Sequence, residues 1–197
     1  QMVRATREGM EAARPGERVF VLTRSNFLGG QRYAATWTGD NRSNWDHLRW
    51  AIPMALNLGL SGQPFAGPDI GGFAGNADAE MFAKWMGIGA LLPFARAHSI
   101  KDSVPHEPWA FGEECEKACR LALERRYRLM PYLYTVFHEA HTTGLPVVRP
   151  VFFADPSDAS LRGVDHAFLL GGDVLVVANV EPGDRAVEPP LDGKSTR

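Results

Sequence analysis

The chain has 197 residues and a formal net charge of −2, and 45% of its residues are hydrophobic. That length and apolar content suit one large domain or a part of a larger protein. The balanced charge, without a cluster of lysines and arginines, argues against a nucleic-acid or anionic-membrane partner. No apolar run approaches the roughly 18 residues of a membrane span, and the N-terminus lacks the layout of a signal peptide.

Cysteine usage is sparse. Cys115 and Cys119 lie four residues apart in a helical stretch, so a disulfide framework is excluded and at most half of a metal site could form there. We predict two buried thiols. Few cysteines and no signal sequence favour a cytoplasmic location, although the first residues resemble the middle of a longer chain, which leaves the compartment open.

The spacing of apolar residues predicts alternating helices and strands in the first part of the chain. A helix is predicted over residues 2–13, stopped by the Arg14-Pro15-Gly16 turn. Strands are predicted at 18–23, at 34–37, from 62–65 into the turn at 67–73, and at 90–95, with helices at 44–58 and 78–86. Ser43 is the predicted cap of the helix at 44–58. This alternation predicts an α/β fold with parallel strands.

A long helical stretch follows at 112–142, where Pro131 is expected to kink or break the helix. Four residues at helical spacing within it are predicted to pack against the strands: Tyr127, Met130, Tyr134 and Phe137.

Beyond the Gly144-Leu145-Pro146 turn the pattern changes to strands without helices. Apolar segments at 147–153, 168–170 and 174–177 are separated by Pro, Gly and Asp turns, which predicts the opening of an antiparallel β-domain. We therefore divide the chain into residues 1–144 and 145–197, and expect the tail at 181–197 to be poorly ordered.

Polar or aromatic residues follow each predicted parallel strand at its end. In chain order they are Arg24, then Trp37 and Asp40, then Asp69 and Phe73, then Arg96 and His98. In a closed (β/α)8 barrel these ends meet on one face, where active sites lie. An open nucleotide-binding sheet would need a phosphate-binding turn, but residues 67–72 place Pro and Asp where phosphate requires backbone amides. The pattern favours the barrel, of which four strands make half.

Asp40 is the residue whose chemistry is most specific. It lies in the turn Thr36-Trp37-Thr38-Gly39-Asp40-Asn41, where Trp37 and small neighbours can form a partly apolar cleft. A carboxyl group in such a cleft keeps its proton more readily and can donate it to a leaving group. These residues fit a helix cap or an ordinary turn aspartate as well, so the turn alone leaves both interpretations open.

Taken together, the strand-end motifs resemble glycoside hydrolase family 31, the α-glucosidase family. The motifs are Arg24-Ser25, Trp37-Thr38-Gly39-Asp40-Asn41, Gly67-Pro68-Asp69-Ile70-Gly71-Gly72-Phe73 and Pro93-Phe94-Ala95-Arg96-Ala97-His98, with Glu107-Pro108-Trp109 and 168–173 beyond them. The resemblance spans nearly the whole chain and is strongest to neutral, plant and algal glucosidases. It implies the C-terminal half of a (β/α)8 TIM barrel, followed by the start of an antiparallel β-sandwich domain.

The resemblance also implies a role for each matching residue. Asp40 would be the general acid/base. Four residues would hold the non-reducing glucose, namely Arg24, Trp37, Asp69 and His98, with Phe73 as an aromatic wall. Side-chain chemistry is compatible, since a carboxylate accepts bonds from sugar hydroxyls and rings face the sugar. For His98 a core or cap histidine is the alternative, and we interpret Arg96 as a partner of a carboxylate, with sugar binding as its alternative.

One family feature is absent. The nucleophilic aspartate of the family lies in a Trp-x-Asp-Met-Asn type motif after an earlier strand, and no such motif occurs in these residues. We expect it upstream, so that this fragment by itself would be inactive. The implied activity is retaining hydrolysis of terminal α-linked glucose from oligosaccharides or glucans, without a metal or cofactor and with an unknown oligomeric state.

Two alternatives remain open at this stage. The first is a non-catalytic carbohydrate-binding or scaffold remnant of a glycosidase. The second is a metal-dependent hydrolase with Asp40, Asp69 and His98 as ligands, although the chain lacks a closely spaced pair of histidines for it.

Overall fold

The computed structural model describes residues 1–183 and 187–191, so the prediction of a poorly ordered tail at 181–197 lies largely outside the described residues. The five α-helices within these ranges are α1 Met2–Ala13, α2 Trp45–Leu60, α3 Ala79–Gly89, α4 Glu113–Arg128 and α5 Met130–Thr143. The strands are β1 Leu22–Thr23, β2 Ala35–Trp37, β3 Ala66–Gly67, β4 Asp69–Ile70, β5 Arg96–Ala97, β6 Val148–Pro150, β7 Ala167–Leu170 and β8 Val174–Val177. Over the same ranges, no helix has the length and apolar character needed to cross a membrane.

Parallel pairing dominates the first part of the chain and antiparallel pairing the last. Strands β1, β2 and β3 form a parallel sheet, in which Leu22 is paired with Ala35. Strands β4 and β5 form a second parallel pair that sets Asp69 opposite Arg96. Strands β6, β7 and β8 form an antiparallel sheet. This change in pairing agrees with the sequence prediction.

The parallel strands are shorter than the sequence predicts. Of the predicted strand 18–23 only Leu22 and Thr23 pair. The predicted third strand is split at Pro68, whose nitrogen carries no hydrogen to donate, so that β3 pairs with β2 and β4 with β5.

The predicted strand at 90–95 is wrong, because this segment forms turns and the pairing begins at Arg96. The carbonyls of Ala90, Leu92 and Pro93 are occupied by the side chain of Arg126, which withholds them from a neighbouring strand.

The helix α2 begins one residue later than predicted. Asn44, and not Ser43, is its N-cap, and the Asn44 side chain accepts a hydrogen bond of 2.8 Å from the amide of His47. The Ser43 hydroxyl is bound instead to the carbonyl of Gly71, so it is not available as a cap.

Pro131 lies in the first turn of α5, and the break between α4 and α5 confirms its predicted effect. Four residues at helical spacing are predicted to pack against the strands. The prediction is wrong for three of them, since Tyr127, Met130 and Tyr134 are exposed. Phe137 alone of the four packs inward, with its ring 4.8 Å from that of Phe65. The interruption at Leu129 separates Tyr127 from the other three residues, so helical spacing counted across it does not mark one face.

A large buried cluster joins the two parts of the chain. It contains Leu48 and Ile52 of α2, Phe82 and Trp85 of α3, and Phe168 and Leu170 of β7. Gly59 allows the close approach of α2 to the last sheet, because a Cβ there would lie 3.0 Å from the Cβ of Pro146. The helix α2 therefore packs between the parallel strands and the antiparallel sheet.

Both cysteines are buried on the inner face of α4, as predicted, with their sulfur atoms 3.9 Å apart. Burial disfavours the thiolate and raises the pKa of Cys119 to about 12. The pair is thus a packing element of the α3–α4 contact.

Arg126 of α4 fixes the segment that leads into β5. Its guanidinium donates to the carbonyl oxygens of Ala90 at 2.8 Å, Leu92 at 2.7 Å and Pro93 at 3.0 Å. Burial lowers the pKa of Arg126, because a charged guanidinium is less stable away from water. The three bonds offset this cost and hold in place the strand that carries Arg96.

We expect Arg126→Met to loosen this segment in the protein that carries this chain. Three carbonyls would lose their donor, and the free energy of local opening should fall by about 2 kcal/mol. Hydrogen exchange of the amides at 90–97 should accelerate by about 30-fold, as measured by mass spectrometry. The matched control is Arg125→Met, since Arg125 is the exposed neighbour on the same helix. Equal exchange rates in the two variants would contradict the role of Arg126.

Candidate active site

The polar residues predicted at the strand ends lie on neighbouring loops. Arg24 follows β1, Asp40 follows β2, Asp69 lies in β4, and His98 follows β5. Asp40 and His98 both act on Asp69 through space, with opposite effects on its pKa. The parallel strands thus bring these side chains to one side of the structure.

Asp40 lies in the loop between β2 and α2, and its side chain is about half exposed. The Arg24 Nη1 donates to Asp40 Oδ2 at 3.0 Å. Gly39 has a positive φ of 96°, and a Cβ there would lie 3.5 Å from the Arg24 side chain. Asp40 is not a helix cap, since Asn44 occupies that position.

Asp69 is fully buried, with a relative exposure of 0%. Its Oδ1 accepts two bonds from Arg96, from Nη2 at 2.5 Å and from Nε at 3.2 Å. Its Oδ2 has no hydrogen-bond partner within the described part of the chain. One oxygen of this carboxylate is therefore held by the protein, and the other is a buried acceptor that no described residue satisfies.

Burial raises the pKa of Asp69, because a carboxylate is less stable away from water. The hydrogen bond and positive charge of Arg96 act in the opposite direction, as does the charge of His98. The negative charge of Asp40 adds to the effect of burial. Burial is the largest of these effects, so the net shift is upward.

Aromatic rings contact Arg96 and His98, the two residues whose charges lower the pKa of Asp69. The Arg96 guanidinium stacks over the Trp37 ring at 5.2 Å from its centroid. The rings of Phe73 and His98 are stacked, with centroids 5.4 Å apart and planes 28° apart. These surfaces can face the apolar side of a sugar ring, while His98 can donate or accept a hydrogen bond.

The loop after β2 runs alongside the turn after β4. Arg42 and Ala74 form an isolated parallel bridge, and the amide of Ser43 donates to the carbonyl of Ala74 at 2.9 Å. The turn carries two successive left-handed residues, Gly71 and Gly72, with φ of 88° and 87°. A Cβ at Gly72 would lie 2.5 Å from the Ser43 amide nitrogen, so this contact requires glycine.

Several residues at the site were not found from the sequence. Asn41 and Ser43 bind the turn that carries Asp69. Asn41 lies within a motif that was recognised, but nothing in its spacing shows which loop it bonds to. His106 is buried below this turn, with its ring 5.4 Å from that of Phe82, and burial lowers its pKa. In the sequence His106 stands between Pro105 and Glu107, and this context gives no signal that the side chain is buried.

A cleft of about 390 Å³ opens beside Arg24 and Trp37 and runs along α2 past Met54 and Asn57. Asp40, Asp69 and His98 are not among its lining residues. Within residues 1–183 and 187–191, no group of three His, Cys, Asp or Glu side chains is arranged to hold a metal ion.

Carboxylates and aromatic rings at the ends of parallel strands are typical of a sugar-binding α/β barrel. The family model described as "Glycosyl hydrolases family 31 TIM-barrel domain" matches residues 1–136. The model described as "Glycosyl hydrolase family 31 C-terminal domain" matches residues 144–193. The chain belongs to glycosyl hydrolase family 31.

Named relatives agree with this assignment. The chain is 48% identical over 181 residues to "Alpha-glucosidase 2" of Bacillus thermoamyloliquefaciens, which covers 92% of the chain and 23% of that relative. It is 45% identical over 193 residues to "Probable glucan 1,3-alpha-glucosidase" of Arabidopsis thaliana, and this match covers 98% of the chain and 21% of that relative.

Among solved structures, the family 31 α-glucosidase from Bacteroides thetaiotaomicron superposes with a TM-score of 0.90 at 58% identity. This match covers 97% of the chain and 32% of that structure. The chain thus spans about a fifth to a third of the length of these relatives.

The raised pKa of Asp69 predicts a pH-dependent stability difference between wild type and Asp69→Asn. As the pH rises from the ordinary aspartate value of 3.8 through the raised value, the unfolded chain releases its proton first, so wild type loses stability. The asparagine side chain does not titrate in this window. Loss of the ion pair with Arg96 lowers the stability of the variant by an amount that does not change with pH. Its melting temperature should therefore rise relative to wild type across this window.

The control has the opposite sign. Hydrogen bonds from Ser157 lower the pKa of Asp155, so Asp155 stabilises the fold above its ordinary value and this contribution is lost as the pH falls through the lowered value. Asp155→Asn should therefore lose stability relative to wild type as the pH rises from acid. If both variants followed the same trend in differential scanning fluorimetry, the assignment of Asp69 would be wrong.

Proposed function

We propose that this chain forms part of an α-glucosidase that removes terminal non-reducing α-linked glucose from oligosaccharides or glucans with retention of configuration. The chain would contribute the general acid/base and most of the pocket for the terminal glucose. The observation that supports this proposal most directly is the state of the fully buried Asp69. Its Oδ1 is bound to Arg96, and its Oδ2 has no hydrogen-bond partner in the described residues. A buried carboxylate in this state is an acceptor for a sugar hydroxyl.

The neighbouring groups fit this ligand. Arg24 and His98 offer donors to sugar oxygens, and Phe73 and Trp37 offer ring faces. Arg96 holds the carboxylate of Asp69 in one orientation, so we assign it to positioning rather than to the sugar itself. Family membership supports each of these roles at the matching motif positions.

In the proposed mechanism, Asp40 first acts as an acid. It transfers its proton to the glycosidic oxygen while a second carboxylate attacks the anomeric carbon, which gives a covalent glucosyl-enzyme intermediate. Asp40, now ionised, then accepts a proton from the water that releases glucose. The half-exposed side chain of Asp40 suits both steps, because the departing sugar and the incoming water must each reach it.

The second carboxylate is assigned to a segment outside these 197 residues. Asp69 is a poor nucleophile, because its carboxylate is already bound to Arg96. We propose that residues 1–144 form the second half of a (β/α)8 barrel and that residues 145–197 begin the β-sandwich domain after it. Another part of the protein would then cover the open side of Asp40 and supply the nucleophile.

The proposal predicts a leaving-group effect for Asp40→Asn in the full-length enzyme. The value of kcat/KM for maltose should fall by about 10²–10⁴-fold, because a sugar leaves poorly without a proton. The loss for 4-nitrophenyl α-glucoside should be much smaller, since nitrophenolate departs without one.

Asp46→Asn is the matched control, because Asp46 lies on the first turn of α2 and pairs with Arg49 away from the pocket. It should stay within about two-fold of wild type, well below the range of general acid–base effects. Equal losses on both substrates for Asp40→Asn would show that Asp40 is not the acid.

Residues 1–197 expressed alone should not release glucose from maltose. Retaining hydrolysis needs two carboxylates about 5–5.5 Å apart, and the proposed nucleophile lies outside the chain. The open edges of an unfinished barrel should also lower its solubility. Turnover above background by a purified monomer, in an assay calibrated with the full-length enzyme, would overturn the assignment of the nucleophile.

A further inference from the structure

The loop that carries Asp40 is bound to the turn that carries Asp69 through one side-chain amide. The Nδ2 of Asn41 donates to the backbone carbonyl of Asp69 at 2.9 Å. Its Oδ1 accepts from the amide of Phe73 at 2.8 Å. Asn41 therefore binds both ends of the turn at 69–73 and uses both polar ends of its side chain to do so.

Backbone contacts strengthen the same junction. The carbonyl of Asn41 accepts from the amides of Phe73 and Ala74, each at 3.0 Å. The hydroxyl of Ser43 donates to the carbonyl of Gly71 at 2.7 Å. The close approach at Gly72 leaves no room for a Cβ. The spacing of the two loops is thus set by direct bonds.

The carboxyl group of Asp40 has no comparable support of its own. It forms an ion pair with Arg24, and the side chains of Asp40 and Arg24 are 46% and 56% exposed, respectively. An exposed ion pair contributes little to holding a group in place. The position of Asp40 relative to the glucose pocket therefore depends on the backbone of the next residue, Asn41.

We propose that Asn41 is a positioning residue for proton transfer by Asp40, an inference that rests on the proposed function. Proton transfer requires the two heavy atoms to lie about 2.6–3.2 Å apart. A displacement of about 1 Å can cost about 10²-fold in rate. Without its amide, the Asp40 loop would keep its fold through the backbone contacts but lose its register against the Asp69 turn.

The test is the leaving-group dependence of Asn41→Ala in the full-length enzyme. The kcat/KM for maltose should fall by about 10–100-fold, and that for 4-nitrophenyl α-glucoside by less than about three-fold. The value of kcat/KM covers only the steps up to the first irreversible one, so the later role of Asp40 as a base does not enter the comparison with the aryl glucoside.

Ser43→Ala is the matched control. It removes one bond to the same turn, at Gly71, and leaves the amide of Asn41 intact. We expect this variant to lower kcat/KM for maltose and for the aryl glucoside by the same factor. If Asn41→Ala also lowered both equally, or neither, Asn41 would have no positioning role.

Asn41→Asp is a second variant in case the alanine variant does not fold. It has the same shape and keeps an acceptor for the amide of Phe73, but it loses the donor to the carbonyl of Asp69. The greater loss on maltose than on the aryl glucoside should persist, because a carboxylate oxygen would face the carbonyl of Asp69 with no proton to donate. The absence of this difference in a variant with a wild-type unfolding transition would overturn the inference.

The same assays separate this inference from the proposed function. A wild type without activity on either substrate, or an Asp40→Asn variant without leaving-group dependence, would remove the proposed function itself. A normal wild type with a leaving-group effect for Asp40→Asn but none for Asn41→Ala would remove only the role of Asn41.

Discussion

The site depends on the ion pair between the fully buried carboxylate of Asp69 and Arg96. An uncompensated charge at such a position costs several kcal/mol, so Arg96 has to be fixed beside it. The parallel pairing of β4 with β5 sets the two residues opposite each other. Arg126 in turn holds the segment before β5 through three carbonyls. A helix far along the chain thus determines whether the buried charge has its partner.

Short strands are a consequence of the same arrangement. The carbonyls that would extend β5 backwards are bound to Arg126, and Pro68 separates β3 from β4. Side-chain hydrogen bonds satisfy backbone groups near these short strands. The Ser43 hydroxyl and the Asn41 amide satisfy carbonyls of Gly71 and Asp69, and the Asn44 side chain satisfies an amide in the first turn of α2.

The region around the site combines rigid and accessible parts. Asp69 is buried and bound, while Asp40 and Arg24 stay about half exposed. A group that must exchange protons with a leaving group and with water needs access, whereas a group that only holds a substrate benefits from burial. This contrast between the two carboxylates is the basis of their different proposed roles.

The sequence by itself determined the family, the alternation of helices with parallel strands, the change to antiparallel pairing after residue 144, and the break at Pro131. These follow from local properties: apolar spacing, turn residues and motifs whose members lie close together in the chain. The roles assigned to Asp40 and its neighbours stay predictions. Only the tertiary structure decided that Asn44 replaces Ser43 as the cap, that Tyr127 and Tyr134 face solvent, and that Asn41 bonds to the Asp69 turn. Each of these depends on which distant group competes for a hydrogen bond or covers a helix face, and that competition is settled by packing between segments far apart in the chain.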